Sequence, residues 1–134
     1  MTRRWQAERK REHYYRLAKQ LGLRSRAAFK LMQLNQRFKL IKPGDVVVDL
    51  GAAPGGWLQV ARELVGAEGF VVGVDLQPIE RLPYKNVITL VADITNSDLP
   101  ELLKEKLPRQ ANVVLSDASP KISGVWSCLL YTSP

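Results

Sequence analysis

Four short runs constrain this chain more than any other feature: VVVDL at 46–50, GFVVGVDL at 69–76, NVITLVAD at 86–93 and the start of ANVVLSDASP at 111–120. Each is a near-continuous stretch of Val, Ile and Leu rather than an alternation of apolar and polar residues. A strand with one wet face alternates; a strand covered on both faces has no need to. Between the runs stand segments long enough for a helix or an extended crossing, which parallel neighbours require. The chain is therefore expected to be α/β, with a parallel sheet between layers of helix.

The helices have their own signals. SRAAFKLMQLNQRF, 25–38, carries Ala27, Ala28, Leu31, Leu34 and Phe38 on one stripe, with Ser25 as its expected N-cap. Lys30 sits at the edge of that stripe, so its stem can lie on the core while its amine reaches a cleft. KPGD at 42–45 is a turn into the first strand. Further helices are expected over about 57–65 and over LPELLKEKL, 99–107, the latter opening after Asp98. Residues 4–20 read as a charged helix with weak apolar periodicity. No internal repeat and no low-complexity tract appears.

At 134 residues, 46% of them hydrophobic and 25% charged, the chain is one soluble globular domain at most. It has no apolar run of membrane-spanning length. The basic MTRRWQAERKR start lacks the apolar core of a signal peptide, and its Glu8 and Glu12 disfavour a transit peptide, so a cytoplasmic location is expected. One cysteine, Cys128, and one histidine, His13, leave no material for a disulfide framework or a His/Cys metal site, and no metal is expected. The charge is divided. Residues 1–42 hold thirteen Lys and Arg against two Glu, or +11, whereas residues 43–134 hold seven against eleven acids, or −4. A basic arm on an acidic body points to a polyanion, and Trp5, Tyr14 and Tyr15 within it favour nucleic acid over a merely solvated face.

GAAPGG, 51–56, follows the first strand where nucleotide-binding sheets place a phosphate loop. A dinucleotide fingerprint requires glycine at its third position, where Ala53 stands, and a P-loop requires Lys where Trp57 stands. A ligand without phosphates suits the loop better. The acids agree: Asp49, Asp75, Asp93 and Asp117 each lie at the end of an expected strand, and parallel sheets bind ligands outside those ends. Any one of them alone reads as a loop or helix cap. Together they rim a crevice that repels phosphate and welcomes a cation. S-adenosylmethionine has the matching features, with an adenosine for Asp75 and Asp93, a positive sulfonium and no phosphate.

DLGAAPGGW, VGVDL and LSDASPKISGVW, preceded by SRAAFKL, resemble the RrmJ/FtsJ family of RNA ribose 2′-O-methyltransferases from about Trp5 to Trp126. The resemblance implies a Rossmann-like, S-adenosylmethionine-dependent methyltransferase sheet whose C-terminal strands are missing here. It implies Gly55, Trp57, Asp75, Asp93 and Asp117 as cofactor-binding residues, and Lys30 and Asp117 as catalytic ones. The family's second catalytic lysine and its glutamate find no counterpart, and SCLLYTSP does not match what the family has there. The chain thus divides into a basic arm (1–22), an incomplete methyltransferase domain (23–126) and an anomalous tail (127–134), and reads as truncated. The expected activity is methyl transfer to a ribose 2′-hydroxyl of RNA, foremost a uridine of large-subunit ribosomal RNA, by a monomer with no membrane partner. A tRNA methyltransferase of the same family, a non-catalytic RNA-binding protein on the same fold, and a nucleotide-dependent oxidoreductase are the alternatives, the last disfavoured by Ala53.

Overall fold

The computed structural model describes residues 22–116 and the single positions 9, 16, 19 and 20. Of the helix expected over 4–20 only those four positions are described, and each is helical; His13 and the arm's aromatic residues lie outside the described residues, as do Asp117, Cys128 and the tail.

The elements run α1 (Ala27–Phe38), β1 (Val46–Leu50), α2 (Gly56–Val65), β2 (Phe70–Asp75), β3 (Val87–Val91), α3 (Leu99–Lys106) and β4 (Val113–Ser116). All four strands join one sheet in the order β3-β2-β1-β4, every pair parallel. From β1 the chain steps outward through β2 to β3, then returns by way of α3 to the other flank of β1. That reversal puts a topological switch point between β1 and β4, where parallel sheets open a crevice at their carboxyl ends.

Continuous Val and Leu in β1 has a simple cause, since all five of its residues are buried. Val47 faces one core, with Ala28 and Leu31 of α1, Trp57, Leu58 and Ala61 of α2, and Leu82 of the β2–β3 crossing. Val46, Val48 and Leu50 face a second core, with Leu99 and Leu103 of α3. Gly73 interrupts β2 for a packing reason. A Cβ there would lie 2.5 Å from Leu58 Cδ1 and 3.1 Å from Ala52 Cβ, so the missing side chain lets α2 and the loop before it close onto the strand.

Three expectations need correction. Ser25 does not cap α1: the helix begins after Arg26 with no side-chain cap, and the Ser25 hydroxyl faces the glycine loop instead. Asp98 stands before α3 but its side chain caps nothing; Asn96 organises that entry, its Oδ1 accepting from Asp98 N at 2.9 Å and its backbone O from Leu99 N at 3.1 Å. Phe38 leaves the buried stripe. It is 58% exposed at the last turn of α1, where Lys39 adopts a left-handed conformation and turns the chain away from the core. Among the described residues no helix is long and apolar enough to cross a membrane.

Candidate active site

A recess of about 90 Å³ opens beside β1 at the carboxyl edge of the sheet, bounded by Ser25 and Ala27, by Asp49, by Gly51–Pro54, and by Gly56 and Trp57. Three elements build it. Asp49, on the same face of β1 as Val47, is only 2% exposed and is the one ionisable side chain among the lining residues. The loop after β1 turns through Gly51 at φ +80°, and Gly51 N and Ala52 N both donate to Val74 O, at 2.8 and 3.0 Å. The Ala53–Pro54 peptide is cis, and α2 then opens from Gly55, itself at φ +114°.

What comes close to the glycines is the chain's own segment 24–25. A Cβ on Gly56 would lie 2.1 Å from Ser25 Oγ, and one on Gly55 would lie 2.9 Å from Arg24 Nη1. Arg24 works as a clasp. Its guanidinium donates to the carbonyls of Pro54 in the glycine loop (3.2 Å) and of Glu80 and Arg81 in the β2–β3 crossing, while its backbone N donates to Gln59 Oε1 of α2 at 2.8 Å. Neither Arg24 nor Gln59 stands out in the sequence, because their partners lie some thirty or more residues away and no local pattern marks the meeting.

Asp75 joins two loops. Its Oδ2 accepts from Ala53 N at 2.9 Å and its Oδ1 from Gln77 N at 3.0 Å, so one carboxylate ties the glycine loop to the β2 exit. Each oxygen keeps acceptor capacity for one further donor. Asp93 lies two residues beyond β3, exposed, with Oδ1 accepting from Thr95 Oγ1 at 2.6 Å and Thr95 N at 2.9 Å. Those two bonds, the hydroxyl's first, hold its pKa below the ordinary carboxylate value. The carboxylates form a staircase rather than the level row the strand ends suggest: Asp49 pairs with Gly73, two residues before Asp75, and Asp75 pairs with Val91, two before Asp93.

Trp57 does not present a free indole edge to the crevice. It is buried, and its Nε1 donates to Ala27 O, fastening α2 to the first turn of α1 beside the recess. Gly55 takes the left-handed backbone that lets α2 start under Arg24. Lys30 is exposed on α1 one turn beyond Ala27, on the helix face that reaches the recess. Asp117, the residue after β4, lies outside the described residues. Among those described, no three His, Cys, Asp or Glu side chains gather as a metal site requires.

A parallel sheet with a glycine loop beside its switch point and a recess at its carboxyl ends defines an α/β domain of the class that binds ligands there. The FtsJ-like methyltransferase family model matches residues 23–132, and the chain belongs to that family. It is 55% identical over 124 residues to the ribosomal RNA large subunit methyltransferase E of Methanococcus maripaludis strain C7, covering 92% of this chain and 48% of that one. The protein of that name from Methanocaldococcus jannaschii is 54% identical over 127 residues, with 92% and 52% covered. The chain thus spans about half the length of the curated relatives it matches. Among solved structures, a ribosomal RNA methyltransferase from Plasmodium falciparum superposes with a TM-score of 0.63 at 27% identity, over 81% of this chain and 66% of that one.

Proposed function

We propose that the chain carries the S-adenosylmethionine-binding half of an RNA ribose 2′-O-methyltransferase that acts on large-subunit ribosomal RNA. The observation that carries this is the recess: Asp49 is its one ionisable lining group, and no Lys or Arg lines it to hold a phosphate. A sulfonium is favoured beside a carboxylate for the reason that a phosphate is not. At about 90 Å³ the recess suits the sulfonium and methionine end of the cofactor rather than the whole of it. The adenosine would lie over the open strand ends. There Asp75 can accept from the ribose hydroxyls, Asp93 stands beyond it, and the apolar Leu76 and Val91 are 66% and 65% exposed for the base.

When bound, S-adenosylmethionine supplies an electrophilic methyl group. The residues of this chain then act by placement. Arg24 and Asp75 fix the glycine loop, Trp57 fixes the first turn of α1, and Lys30 stands at the mouth where an RNA 2′-hydroxyl would enter. There its ammonium can orient the hydroxyl and steady charge on the oxygen, with Asp117 completing the pair as the family pattern has it. RNA would be told from DNA by the hydroxyl that is modified. Calorimetric titration with S-adenosylmethionine and with NAD tests the site, and transfer of a tritiated methyl group to ribosomal RNA, by this chain and by one extended to its relatives' length, tests the reaction. Saturable S-adenosylmethionine binding without NAD binding is expected. Tighter binding of NAD would overturn the reading.

A further inference from the structure

The exposed face of α1 carries an arrangement that the cofactor site does not use. Arg26, Lys30, Gln33 and Arg37 fall at i, i+4, i+7 and i+11, within one narrow stripe, and all four are exposed. The opposite face, through Ala28 and Leu31, is buried. No Asp or Glu occurs between Arg24 and Pro43, so the segment itself brings only positive charge to this face. At its far end Lys39 follows in the left-handed conformation, and Phe38 and Leu40 are 58% and 42% exposed. The Arg37 guanidinium lies 5.2 Å from the centroid of the Phe38 ring and steadies it. At its near end the helix meets the recess through Ala27.

We infer that this face of α1 is a track for single-stranded RNA, leading away from the recess. Arg26, Arg37 and Lys39 hold its phosphates and Phe38 stacks on a base at the far end. The twelve residues of α1 extend about 18 Å, the length of roughly five stacked nucleotides. A polyanion complements a stripe that carries cations and no acid, and an exposed ring beside it gives a base the π-face it needs once unstacked. The track rests on the reading of RNA as substrate. It differs from the basic arm expected at 1–22, because these residues belong to the folded domain.

The test measures binding of a fluorescein-labelled single-stranded RNA 12-mer of mixed sequence, and of a 12-base-pair RNA duplex, by anisotropy across a salt series. The variant R37Q/K39N removes two cations, and Asn tolerates the left-handed backbone at position 39. It should reduce the slope of log K against log salt by about 1.4, at roughly 0.7 per phosphate contact on a single strand. F38A and F38L should each weaken single-strand binding by about five- to a hundredfold while leaving duplex binding unchanged, since leucine keeps the apolar surface but not the π-face. An unchanged slope, a wild type that does not bind the 12-mer at 50 mM salt, or equal losses for single strand and duplex would each overturn the track. So would a dimer in sedimentation that F38A dissolves, which would give the patch to a second copy. S-adenosylmethionine titrations run alongside separate the two readings. All these variants should retain cofactor affinity, and a chain that binds RNA through α1 but no cofactor would fail the enzymatic reading and keep the track.

Discussion

Gly56 has no room for a methyl group. Its would-be Cβ meets Ser25 Oγ at 2.1 Å and Ser25 N at 3.2 Å, so Gly56→Ala must turn the Ser25 hydroxyl aside and press on the backbone before α1. The expected cost is ~1–3 kcal/mol, the usual range for overpacking, read as a lowered urea midpoint with an unchanged slope. A midpoint equal to wild type would show that segment 24–25 rides loosely on the loop. Asp75→Ala removes both the tie to Ala53 and the proposed ribose acceptor. S-adenosylmethionine affinity should fall about 5–150-fold, the worth of ~1–3 kcal/mol of unpaired hydrogen bonds, and calorimetry checks it. Asp93 gives a pH prediction. Its folded pKa is depressed by Thr95, so the stabilisation from that pair is present above the ordinary value of 3.8 and is lost as pH falls through the lowered one. Thr95→Val removes the hydroxyl bond and should move the Asp93 carboxyl titration, followed by NMR, back toward 3.8. At this scale the sequence was half legible. Ala53 and Trp57 stand where the phosphate-loop motifs need Gly and Lys. The packing of Arg24 on Gly55 and of Ser25 on Gly56 was not legible, because a contact between distant segments leaves no trace in either one.

The elements were easier to read, and the reason is burial. β1 occupies the five residues of its run and the other strands fall inside theirs; β1 and most of β2 are covered on both faces, which favours continuous apolar residues, while β3 and β4 are only half-buried. Helix ends were less legible. Ser25 and Asp98 are residues that commonly cap, yet tertiary contact assigns the Ser25 hydroxyl to the loop, and Asn96 takes over the entry to α3. Phe38 fits the helical period but falls where α1 runs past the end of the core. α2 packs closely on β2 at Gly73. Leu58→Ala should cost ~2–5 kcal/mol as a large-to-small core change, and Gly73→Ala ~1–3 kcal/mol as overpacking against the same side chain. Combined, the two should cost less than their sum by at least ~0.5 kcal/mol, because the new methyl group enters space that Leu58 has left. Strict additivity in chemical denaturation would mean that the methyl group at 73 meets something other than Leu58.

For the whole molecule, charge and topology act on different partners. The first 42 residues are strongly basic and the rest mildly acidic, so RNA affinity should be steeply salt-dependent. Deleting residues 1–20 should flatten that dependence without altering cofactor affinity; filter binding over a salt series measures the first and calorimetry the second. The switch point between β1 and β4 has a further consequence, in time rather than in space. β1 leaves the ribosome early, and α2, β2 and β3 can gather on one of its sides as they follow. Its other side pairs with Val113–Ser116, which arrive only after α3 has been made. At ~5–20 residues per second, the 25 residues from the end of β3 to the end of β4 take roughly 1–5 s. For that interval the most deeply buried strand of the sheet shows a bare row of amides and carbonyls to its neighbours on a polysome. Nascent chains stalled at Val91 should therefore recruit holding chaperones more strongly than chains stalled well past Ser116.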